Sequence, residues 1–65
     1  MDDSTKQKII EWVNSEMDDY RREDPSSWRT LMVEDAIGKF GDFKGPDDVN
    51  DEIALVVRQV LNGDL

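Results

Sequence analysis

Nothing in this chain can be stapled. Its 65 residues include no cysteine and no histidine, so disulfides, thiolate metal sites and imidazole metal sites are all closed to it. A domain of this length hides only about 60% of its unfolded surface, and its core supplies roughly 3–5 kcal/mol of net stability. Such a chain folds by close packing of regular elements, by self-association or on a partner. Hydrophobic and charged residues each make up 37% of it, a balance that leans toward disorder. Two tryptophans, two phenylalanines and a sustained apolar period argue for a fold instead.

That period is helical in three places. The first stretch covers about residues 4–22. Ser4 followed by Gln7 reads as a capping box, and Asp2 and Asp3 stand where the helix dipole favours negative charge. Ile9, Val13, Met17 and Tyr20 recur at i, i+4, i+8 and i+11, with Ile10 beside them, and so share one helical stripe. Trp12 falls about 100° from the centre of that stripe. It is a flank residue, partly exposed unless another element covers it.

The second stretch covers about residues 25–40. Asp24-Pro25 supplies a carboxylate cap followed by proline at the first helical position, with Ser26 or Ser27 as alternative caps. Trp28, Leu31, Met32, Val33, Ala36, Ile37 and Phe40 cover more than half of the helix circumference, which suits an element with two neighbours. Gly38, Gly41, Gly45 and Pro46 then mark 38–46 as a loop. Phe43 within it is expected to plug the open end of the fold.

The third stretch covers about residues 47–62. Val49, Ile53, Val56, Val57 and Val60 form its stripe, with Leu61 at the edge and Gly63 in the place of a terminal left-handed residue. So many valines suggest a strand, but Asp51, Glu52, Arg58 and Gln59 interrupt at helical spacing. Leu55 projects nearly opposite the stripe. The expected architecture is all-α: one small three-helix bundle with the middle helix central.

Acids outnumber bases by sixteen to eight, for a net charge of −8. Residues 1–24 carry −4, residues 25–45 are neutral and residues 46–65 carry −4, as expected for a neutral helix between two acidic ones. This charge opposes nucleic-acid binding, which needs cations to displace counterions from phosphates. Anionic membranes are disfavoured for the same reason. No stretch approaches the roughly 20 apolar residues of a membrane span. The first apolar pair, Ile9-Ile10, falls short of an export signal, so a cytoplasmic location is the expectation.

The chemistry is defined mostly by what is missing. Without His or Cys the usual nucleophile–base pairs cannot be assembled. Carboxylate pairs are plentiful, but a bundle this small has little room for a substrate cleft. Asp48, Asn50 and Glu52 mimic the first three ligands of a calcium loop, yet Ile53 replaces its glycine and Gln59 its terminal glutamate. Acids at that place serve the start of a helix. No catalytic residue, metal site or cofactor is therefore expected.

An acidic surface does steer a protein toward a basic partner. The reading is a non-enzymatic protein-interaction module or regulator of otherwise unknown function. Its candidate contacts are Glu11, Asp18, Asp19, Asp51 and Glu52, with Trp12 and Leu55 as apolar anchors. A sharper version is a DNA mimic that inhibits a nucleic-acid-binding protein. The alternative from another class is a structural homodimer that buries Trp12, Leu55 or the broad apolar arc of the middle helix.

Overall fold

A computed structural model describes residues 2–41 and 47–65, with side chains in the last helix described from residue 50 onward. Three helices account for it: α1 (Asp3–Glu23), α2 (Trp28–Phe40) and α3 (Asp47–Asn62). Each touches both of the others, so the fold is an all-α three-helix bundle. The 21 residues of α1, at about 1.5 Å of rise each, set the long dimension of a body measuring 31 × 22 × 15 Å.

The core is one cluster drawn from all three helices. Ile9 and Val13 come from α1, Met32 and Ala36 from α2, and Ile53, Val56, Val57 and Val60 from α3. No polar residue is buried as a whole among the described residues, although the Asn50 Oδ1 atom is closed off from solvent. The α1 stripe and the Ile53, Val56, Val57 and Val60 part of the α3 stripe therefore fold as their spacing predicts, while the side chain of Val49 lies outside the described residues. The wide arc of α2 divides by depth. Met32 and Ala36 are fully buried, Trp28, Val33, Ile37 and Phe40 lie around the edge of the core, and Leu31 is exposed.

The helix ends differ from the expected ones in three places. Asp2, not Ser4, caps α1: its Oδ1 accepts from the Thr5 backbone N–H at 2.7 Å. Hydrogen bonding from the side chain and backbone of Thr5 holds the Asp2 carboxyl below its usual range. A carboxylate at the cap adds a charge–dipole attraction that a serine hydroxyl lacks. Gln7, freed from the expected box, donates to Glu11 at 3.4 Å.

Helix α2 begins at Trp28 rather than at Pro25, with Ser27, one of the alternative caps, at its N-cap position. The residue before a proline is pushed out of helical conformation, which ends α1 at Glu23: Asp24 has φ −141° and ψ 84°. Its carboxylate then organises a turn instead of a helix, with Oδ1 accepting from Ser26 Oγ and from the Ser27 backbone N–H, both at 3.1 Å. The third difference is the start of the loop: α2 ends at Phe40, as expected for the second stretch, so Gly38 lies within the helix rather than in the loop. A glycine inside a helix costs about 0.5–1 kcal/mol, and the last turn places Phe40 against the core. Phe43 lies outside the described residues.

The end of α3 is as expected. Gly63 has φ +83°, its N–H donates to the Val60 carbonyl at 3.1 Å, and the Asp64 N–H donates to the Gln59 carbonyl at 2.8 Å. This pair of bonds is a Schellman motif, in which a left-handed residue returns the chain across the last turn.

Candidate functional site

The C-terminal half of α1 converges with α2 to form an acidic groove of about 550 Å³. Glu16, Asp19 and Glu23 line it from α1, Asp24 from the turn and Asp35 from α2. On α1 these acids recur at i, i+3 and i+7, which places them on one face. On α2, Leu31 and Asp35 stand one helical turn apart, so an exposed leucine, 37% accessible, lies beside the acids.

Tyr20 links the two walls. Its hydroxyl donates to Asp35 Oδ2 at 2.5 Å, a separation typical of a charge-assisted bond. That bond, partial burial and then the charges of Asp35, Glu16 and Glu23 push the Tyr20 phenol up to about 12 from its ordinary 10.0. The hydrogen bond to Asp35 is the largest of these causes, and the neighbouring carboxylates add to it.

A pH effect follows. Because folding raises the pKa of Tyr20, the stabilisation is complete below about pH 10 and is lost as pH climbs toward about 12. Tyr20→Phe is expected to cost about 1 kcal/mol at neutral pH. The difference in Tm between the two proteins should shrink across the alkaline window. Thermal melts at neutral and alkaline pH test this, and Tyr20 is the only tyrosine in the chain, so its absorbance titration can be read directly. Parallel loss of stability in both proteins, or a phenol titrating near 10, would refute the bond.

The candidate contacts expected from the sequence are distributed over several surfaces. Asp19 lies in the acidic groove, and the exposed Asp18 pairs with Arg21 at 2.9 Å. Asp19 meets Arg22 at 3.9 Å; these exposed pairs are worth little. Glu11 is exposed beside Gln7, and Asp51 is exposed on α3. Glu52 and Leu55 share a different hollow, of about 260 Å³, with Lys6 and Val56 between α1 and α3. Leu55 is 55% accessible.

Trp12 is covered in part by its own fold. Its ring meets Tyr20 edge-on at 5.9 Å and Phe40 at 6.0 Å, and it packs against the core. The element that covers the α1 flank is the last turn of α2. Glu16, Glu23, Asp24, Asp35, Tyr20 and Leu31 were absent from the sequence-derived set. The α1 face was legible from spacing alone, whereas the approach of Asp35 required the fold.

Among the described residues, no group of acids could hold a metal ion, and no helix is long and apolar enough to cross a membrane. No known protein family, curated protein or solved structure matches the chain.

Proposed function

We propose that this protein is a non-enzymatic interaction module that receives a basic segment of a partner protein in the α1/α2 acidic groove. The observation that supports this is the convergence of five carboxylates from two helices and their turn on one concave surface beside the exposed Leu31. An arginine- or lysine-rich segment carrying one apolar residue complements it: cations meet Glu16, Asp19, Glu23 and Asp24, and the apolar group covers Leu31. The net charge of −8 assists at long range by steering such a partner inward, an effect that salt screens within about 10 Å.

A fluorescent, lysine- and leucine-containing helical peptide is a suitable probe, with anisotropy as the readout. Its affinity should fall as salt rises, and Glu16→Gln/Asp19→Asn/Glu23→Gln should weaken it about tenfold, the sum of three modest charge contacts. Asp19 and Glu23 are exposed and Glu16 is only half-buried, so the fold should survive. Equal affinity for wild type and triple variant would reject the groove as the docking surface.

A further inference from the structure

On the other side of α2 the charge pattern reverses. Arg29 and Arg58 lie 29 positions apart in sequence, on α2 and α3, yet they line one groove of about 420 Å³ with Val33 and Leu61. Val33 and Leu61 are half-buried against the core and form the floor, while both arginines are exposed and form the rim. The other two arginines of the chain, Arg21 and Arg22, are ion-paired to Asp18 and Asp19. Arg29 and Arg58 have no such pairing among the described residues. The Arg29 guanidinium rests over the Trp28 ring, 5.2 Å from its centroid, which restricts its freedom without using its hydrogen-bond donors. Among the described residues that line this groove Glu34 is the single acid, so their local balance is positive on a molecule that is otherwise strongly negative.

We infer that the α2/α3 groove is a second docking surface, which takes an acidic amphipathic helical segment of a partner protein. An aliphatic side chain of that segment would settle on Val33 and Leu61, while flanking carboxylates meet the two guanidinium groups. This is helix-in-groove recognition with the rim selecting the charge, and an arginine fork matches a carboxylate in two parallel bonds. The sign of the rim chooses the occupant. A basic segment would be repelled here and drawn to the α1/α2 groove instead. A second copy of this chain would bring eight excess negative charges to a site with two arginines, whereas a short segment brings only the carboxylates that meet them. The inference does not depend on the acidic groove, because the two surfaces prefer opposite charges.

The test titrates a labelled, leucine- and glutamate-containing helical peptide into the whole chain and follows its anisotropy. Saturable binding is expected. Arg29→Gln/Arg58→Gln should weaken it about tenfold or more, as loss of two charged contacts implies. Glu16→Gln/Asp19→Asn/Glu23→Gln should leave it as strong or stronger, so the fates of the two grooves are read separately. Circular dichroism of both variants should match wild type, since Arg29, Arg58, Asp19 and Glu23 are exposed and Glu16 is only half-buried. Three results would overturn the inference: no saturable binding, binding unchanged by removal of the arginines, or sedimentation of the free chain as a dimer that Arg58→Gln dissociates. The last would assign the groove to a second copy.

Discussion

Ile53→Ala is expected to leave a large fraction of the molecules unfolded at room temperature. Ile53 is 1% accessible and belongs to the cluster shared by all three helices. Truncating a buried isoleucine costs about 2–5 kcal/mol, through lost transfer free energy and the cavity left behind. A domain of this size has roughly 3–5 kcal/mol in total, so one substitution removes most of the margin. Leu55→Ala is the internal control. It lies on the same helix two residues later but is 55% accessible, and should change stability by no more than about 0.5 kcal/mol. Far-UV circular dichroism during heating and urea titration separates the two. A variant lacking the Ile53 side chain that melts within a few degrees of wild type would mean that the core is not shared as described.

Gly41→Ala should also destabilise, against the usual trend. Its backbone, with φ −94° and ψ 178°, is open to any residue. An alanine there would ordinarily stabilise by about 0.4–1 kcal/mol, by restricting the unfolded chain. Space forbids it. A Cβ at this position would lie 2.6 Å from the Ile37 carbonyl oxygen, 2.7 Å from Asn50 Oδ1 and 3.2 Å from Ile53 Cδ1. The Asn50 and Ile53 atoms end side chains that can turn aside, but the Ile37 carbonyl is backbone, so relief requires the end of α2 to shift or unwind. The cost should be about 1–3 kcal/mol, the range for overpacking. Asn50→Ala in the same chain should recover only part of it, because the Ile37 contact remains. A Tm at or above wild type would show that this junction yields freely.

The elements were legible in the sequence because a helical stripe is a local signal. Ile9 and Val13, or Ile53, Val57 and Val60, carry their spacing wherever the chain is placed. What escaped was decided by competition or by tertiary approach. Ser4 lost the first cap to Asp2, whose carboxylate accepts from Thr5 and interacts with the helix dipole. Asp24 was a sound capping residue that capped a turn instead. Gly38 looked like a breaker, but its helix continued to place Phe40 against the core and against Trp12. Both grooves needed the fold. No spacing rule joins Asp35 to Glu16, or Arg29 to Arg58, before the three helices pack together; each touches both of the others, so the middle helix is not central, contrary to expectation. Segment charge totals hid the reversal across α2, since a sum of zero over residues 25–45 does not reveal which face each sign occupies.

The two tryptophans turn this arrangement into a pair of built-in optical probes. Trp12 sits edge-on to Tyr20, a residue that lines the acidic groove, and Trp28 lies under Arg29 at the rim of the other. With either indole replaced by phenylalanine, the remaining emission reports from a single side of the molecule. The two single-tryptophan variants then follow one face each, without attaching a dye to the protein.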